Sequence, residues 1–149
     1  MKVMLLNGSP RRAGATAVML EALAAEDLCG FIFKSRSPSS GMAAVKVYPE
    51  TGMAVKKGVG IFAGAFMEHF PLLPVEEDGR LHDPVLRENF IERIFVARRW
   101  RALVSEEKKI GSLVAFHTAH KLLIMAHSPK HYSEMGKLVA GAKEDRKSV

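Results

Sequence analysis

The sequence predicts an α/β fold: a small, mostly parallel sheet with flanking helices, followed by an all-helical C-terminal extension. Two observations predict the sheet. Apolar runs of strand length alternate with segments of helical density through the first half, and each run ends in a turn rich in glycine, serine or proline. A third predicts the extension, because only helical spacing recurs after residue 83.

"KVMLLN" is a continuous apolar run stopped by "GSP", and reads as the first strand. "GATAVMLEALAAED" carries Ala, Leu, Met and Glu at helical density and reads as the first helix. "GFIFK" is a second buried strand. Residues 41–57, with "VKVY" and two glycines, suit a short strand and a loop. "GVGIFAGAFMEHF" reads as a helix despite its glycines, and "PLLPVEEDGRLHD" as a strand leading to a turn at Asp78 and Gly79. Asp83 and Pro84 supply an N-cap followed by proline at the first helical position. Leu86, Phe90, Ile94 and Ala97 then recur at helical spacing to about Leu103. A second helix is expected from about Lys108 to Ala126, and a third from Pro129 to Ala142.

A length of 149 residues and 48% hydrophobic content suit one domain with a real core, which argues against global disorder. The net charge of +6 suits an anionic partner. Much of the excess sits late in the chain, where "KEDRK" reads as a solvated tail, so a small anionic ligand is expected rather than nucleic acid. The single cysteine, Cys29, excludes an internal disulfide and a cysteine-only metal site. No signal-peptide pattern opens the chain, and nothing approaches the roughly 18 apolar residues of a spanning helix. A soluble, cytoplasmic protein that uses no membrane is expected.

"NGSPRRAGAT" follows a strand and opens a helix, where backbone N–H groups and the helix dipole favour an anion. Ser9, Arg11, Arg12, Gly14 and Thr16 are its candidate phosphate contacts, the arginines by charge-assisted bonds. A plain strand-to-helix corner uses the same residue types for geometry alone. The stretch resembles the opening of the flavodoxin-like, NADPH-dependent FMN reductases, in which this loop wraps the flavin phosphate. Ala15 departs from that pattern, standing where a side-chain amide is common. The later chain offers no second flavin loop and no aromatic residues to stack on the ring. FMN binding is therefore the alternative reading.

From Asp27 onward a longer likeness runs almost unbroken. "DLCGFIFKSRSPSSGMAAVKVY", "GIFAGAFMEHFPLLPVEEDGRLHDPVLRENFIERIF" and "LVAFHTAHKLLIMAHSPKHYSEMGKLVAGAKE" resemble the YbgA-like proteins. Those join a domain related to thiouracil desulfidases to a second, helical domain of unknown function. The resemblance implies domains at 1–104 and 105–149, the first divided into a flavodoxin-like start (1–26) and the second half of a desulfidase-type domain (27–104). The helical domain is then cut short. The resemblance also implies a chemistry, in which three cysteines hold an iron–sulfur cluster with one iron open to sulfur. One of those cysteines lies in a loop of pattern "KSxSPSCG". Here the loop is "KSRSPSSG", so Ser40 occupies the ligand position. The other two belong to the family's first half, absent here, and Cys29 lies outside the ligand motif. An iron–sulfur cluster wants soft thiolates, so no cofactor is expected and no metal site is assigned. Ser37 matches the family's serine beside the cluster and is the catalytic candidate; Lys34, Ser35, Ser39 and Ser40 are candidate ligand contacts. Without the likeness the same loop reads as a polar surface turn.

His117, His120 and His127, three and seven residues apart, fall near one side of a helix and with Lys121 form a possible second site. His131 follows just after. The plainer reading packs these imidazoles against neighbouring helices. Glu76 and Glu77 are adjacent on a strand, so they point to opposite faces and mark a strand end. Arg87, Arg93, Arg98, Arg99 and Arg101, with Trp100 among them, read as the solvated side of an amphipathic helix. Leu113, Phe116, Leu123, Ile124, Leu138 and Val139 lack the family's further helices, and a homodimer is expected to cover them. Three functions stay open: a cluster-free YbgA-like protein binding a small anionic or nucleobase-like ligand, an FMN-dependent reductase, and a helical interaction module without enzymatic activity.

Overall fold

The computed structural model describes residues 2–5, 13–50, 52–106 and 109–144. It divides into two compact units, Met1–Arg98 and Arg99–Val149. The first contains β1 (Lys2–Leu5), α1 (Ala13–Ala24), β2 (Leu28–Phe33), β3 (Val45–Val47), β4 (Val55–Gly58), α2 (Ile61–His69), β5 (Val75–Glu77) and a 3₁₀ turn (Arg80–His82). The helix α3 (Pro84–Glu106) starts in this unit and ends in the next, which holds α4 (Ile110–His127) and α5 (Pro129–Glu144).

The main sheet has the order β1-β2-β5, and both pairings are parallel. Its central strand, "LCGFIF", is almost wholly apolar, as a strand covered on both faces must be. On one face Leu28, Phe31 and Phe33 pack with Leu20 and Leu23 of α1 and with Phe62, Ala63 and Phe66 of α2. Phe66 holds the cluster together, with ring centroids 4.2 Å from Phe31 and 5.4 Å from Phe33. On the other face Cys29 packs with Phe90 and Ile94 of α3.

A bulge explains why two neighbouring residues of this strand meet the same helix. Lys2 pairs with Leu28 but Val3 with Gly30, leaving Cys29 as the extra residue. Cys29 and Gly30 both then turn toward α3, and Leu28 stays with the phenylalanine face. Gly30 must be glycine at this point, since a Cβ there would lie 2.9 Å from Ile94 Cγ1.

The start of α3 follows the sequence: Asp83 Oδ1 accepts the Val85 N–H at 2.8 Å and the Leu86 N–H at 3.3 Å. Residues 41–57 differ from expectation. They hold not one strand and a loop but an antiparallel hairpin, β3 paired with β4. The second strand, "VKKG", carries two adjacent lysines and has no apolar alternation, so only its non-local partner reveals it.

In the second unit Trp100 meets Phe116 with centroids 5.3 Å apart, and His117 stacks on Tyr132 at 6.4 Å. Leu113, Phe116, Leu123, Ile124 and Val139 are half-buried there, whereas Leu138 is 73% exposed. No helix among the described residues is long and apolar enough to cross a membrane.

Candidate functional site

Strand β2 ends at Phe33 and delivers residues 34–41 beyond its carboxyl end, where open parallel sheets place their ligand sites. Two non-glycine residues in the left-handed region lie on either side of Ser37, Ser39 and Ser40: Arg36 at φ 60° and Ala44 at φ 55°. Such backbone costs of order 1 kcal/mol per residue and persists only where surrounding bonds over-determine it.

The bonds are there. The Ser37 carbonyl accepts the Gly41 N–H at 2.8 Å, closing one turn. The Ser37 hydroxyl accepts the Ser39 and Ser40 N–H groups at 3.4 and 3.3 Å and lies 3.0 Å from the Ser39 hydroxyl. The Ser39 carbonyl accepts the Phe62 N–H at 2.8 Å and the Ala63 N–H at 3.2 Å, so it caps the first turn of α2. Gly60 permits that approach: a Cβ there would stand 2.5 Å from the Ser39 carbonyl. Those two first-turn donors of α2 are thereby satisfied inside the protein, not held for an anion.

One carboxylate of β5 supports the turn, and its neighbour pairs with Arg80. Glu77 is buried, and its Oε1 accepts the Met42 N–H at 2.7 Å and the Ala43 N–H at 3.2 Å. Glu76, also buried, accepts the Glu77 N–H at 2.9 Å and pairs with Arg80 Nε at 2.7 Å. The pairing raises the Arg80 guanidinium further above its ordinary value. Asp78 joins the exits of β2 and β5. Its Oδ2 meets Lys34 Nζ at 2.8 Å, and its Oδ1 accepts the Ser35 and Gly79 N–H groups at 2.8 and 2.7 Å. The Lys34 ammonium first, and the Ser35 N–H second, hold the Asp78 carboxyl far below the usual carboxylate range.

One atom is left over. Ser40 is only 2% exposed, and its hydroxyl has no hydrogen-bond partner among the described residues. A buried hydroxyl without a partner costs roughly 1–3 kcal/mol.

The sequence-assigned residues fall into distinct places. Ser37, Ser39 and Ser40 come together in the turn. Lys34 and Ser35 flank it but are engaged elsewhere: Lys34 with Asp78, and the Ser35 hydroxyl as acceptor for the Gly79 N–H at 2.9 Å. Gly14 and Thr16 lie on α1, Thr16 being buried. Ser9, Arg11 and Arg12 lie outside the described residues. On α4, His120 is buried, with Nδ1 2.8 Å from the Phe116 carbonyl and Nε2 3.3 Å from Arg99 Nη1. Arg99 can only donate, so Nε2 accepts and Nδ1 carries the proton. Arg99 is exposed, as the amphipathic reading expects, and also lends a guanidinium N–H to His120. His117 faces Tyr132 instead, with Nε2 buried and without a partner among the described residues, and Lys121 and His127 are exposed. No group of three or more His, Cys, Asp or Glu among the described residues is placed to hold a metal ion.

Sequence reasoning missed the role of Glu76 and Glu77. They end a short buried strand, and two carboxylates in such a place need internal donors, which is the signal that was available.

Residues 11–78 match the model of the 2-thiouracil desulfurase family, and residues 121–149 match that of a family of proteins of unknown function, DUF1722. Both are YbgA-type families. The first match begins inside the segment likened to flavodoxin-like reductases, and that likeness finds no support. No curated protein and no solved structure matches the chain.

Proposed function

We infer that this chain, a YbgA-type protein by its two family matches, holds a small uracil-like or anionic ligand at its serine turn without an iron–sulfur cluster and without removing sulfur. The observation that carries the reading is the buried, unpartnered hydroxyl of Ser40 at the carboxyl ends of β2 and β5. A hydroxyl donates one bond and accepts two, so it suits the alternating N–H and C=O edge of a pyrimidine. Ser37, whose oxygen already receives two backbone N–H groups, positions the turn.

The residues present do not fit a cluster. Ser40 offers a hard oxygen where a soft thiolate is needed. Cys29 is on the sheet face covered by Phe90 and Ile94, and its Sγ is 3.9 Å from the Asp27 carbonyl.

Calorimetric titration with uracil, 2-thiouracil and inorganic phosphate tests the reading. One of the three is expected to bind, with loss of binding in Ser40→Ala and no sulfide released from 2-thiouracil. Anaerobic reconstitution with iron and sulfide should leave the protein colourless. A stoichiometric cluster, sulfide release, or a Ser40→Ala variant that binds unchanged would overturn it.

A further inference from the structure

At the root of the hairpin β3–β4 the Gly60 N–H meets the Gly41 carbonyl at 2.8 Å. Its charges are arranged against its own stability. Lys46 and Lys56 are directly paired across the strands, and both are exposed. Like charges opposed on one face of an antiparallel pair destabilise it, where Lys opposite Glu would keep the edges equally soluble. Lys57, the extra residue of a bulge between the Val45–Gly58 and Lys46–Lys56 pairs, adds a third exposed ammonium. None of the three lysines forms an ion pair among the described residues. Glu50 is the only carboxylate between residues 45 and 58.

An aromatic ring lies beside these lysines. Tyr48 directly follows the last residue of β3, two residues after Lys46, and is 69% exposed. Exposed lysines alone would suit any polyanion. Lysines beside an open aromatic face suit a chain that carries phosphates and unstacked bases together. An acidic peptide would use the ammonium groups and leave the ring idle, and a duplex keeps its bases stacked away from it.

We propose that the Lys46–Lys56 face of this hairpin, with Tyr48, is a binding surface for single-stranded nucleic acid. It is independent of the ligand assigned to Ser40. The lysines take successive phosphates, and Tyr48 stacks on a base between them. Neutralising three phosphates implies a slope of about −2 in log affinity against log salt concentration.

The test uses the full chain and a fluorescein-labelled oligo-uridylate of fifteen nucleotides, followed by anisotropy at several salt concentrations. The triple variant Lys46→Gln, Lys56→Gln, Lys57→Gln should lose most of the affinity and flatten the salt slope by about 2. Tyr48→Ala should weaken binding about tenfold while leaving the slope in place. Lys130→Gln with Lys137→Gln, on α5, should change neither. Thermal unfolding should show Lys46→Gln at least as stable as the parent, which separates lost binding from lost folding. Absence of binding, a hairpin triple variant that binds like the parent, or displacement of the oligonucleotide by polyglutamate with Tyr48→Ala unaffected would each overturn the proposal. Failure of uracil or phosphate to bind at Ser40 would not touch it.

Discussion

Removing the hydroxyl of Ser40 should make the protein more stable. The side chain is 2% exposed, and its oxygen has lost water without gaining a partner among the described residues. That desolvation costs roughly 1–3 kcal/mol, and Ser40→Ala abolishes it while deleting a single heavy atom. The void left behind is smaller than a methyl group and returns only part of the gain, so a net stabilisation of about 1 kcal/mol is expected. For a chain of this size that corresponds to a rise in Tm of roughly 2–4 °C. Ser37→Ala is the matched control, because its hydroxyl oxygen accepts two backbone N–H groups and lies 3.0 Å from the Ser39 hydroxyl. It should lose about 1 kcal/mol. Urea unfolding followed by circular dichroism measures both, and an unchanged m-value would show that the denatured state is not responsible. Opposite signs are required. A Ser40→Ala variant that is destabilised by 0.5 kcal/mol or more would show that the hydroxyl has a partner and would remove the argument for a ligand. Stabilisation together with lost ligand binding would mark Ser40 as a residue retained at the expense of the fold.

Gly30→Ala should destabilise by about 1–3 kcal/mol, because its Cβ meets Ile94 Cγ1 at 2.9 Å, and Ile94→Ala in the same chain should recover part of the loss in a double-mutant cycle. Glu77→Ala leaves the Met42 and Ala43 N–H groups without their acceptor and should cost about 2 kcal/mol in urea unfolding, with Glu77→Gln costing less since one oxygen remains. Asp78 has its folded-state pKa depressed below the ordinary 3.8, so its contribution to stability is present at higher pH and is lost as pH falls through and below that value. Asp78→Asn should therefore flatten the acid limb of a stability–pH profile between pH 5 and acid unfolding; an unchanged limb would show that the Lys34–Asp78 pair contributes nothing there.

Local signals carried the fold a long way. Asp83 before Pro84 marks the start of α3, and the cap is made by the side-chain oxygen that the dipeptide advertises. Pro129 opens α5, and the apolar run of β2 is buried on both faces. The missing parts depend on contacts distant in sequence. Strand β4 has no apolar period and exists through its pairing with β3. The bulge at Cys29 depends on what Val3 pairs with, and the Glu77 carboxylate meets backbone 34 and 35 residues away. The serine turn was legible as a polar corner, since its internal bonds span only two to four residues. Which serine would be left unsatisfied was not. That depends on the docking of α2, which consumes the Ser39 carbonyl.

The path of the backbone at residue 40 is written entirely by other residues: the Ser37 hydroxyl and carbonyl, the carboxylate of Glu77, and the amides of Phe62 and Ala63 held on Ser39. The side chain at position 40 contributes nothing to that path. It behaves as an interchangeable tip on a fixed mount, so an oxygen, a sulfur or a bare methyl can be seated there without re-routing the chain. The ligand proposed at Ser40 would meet a turn that the protein's own bonds already hold in shape. Chemistry at this corner can thus change by a single codon while the architecture beneath it stays as it is.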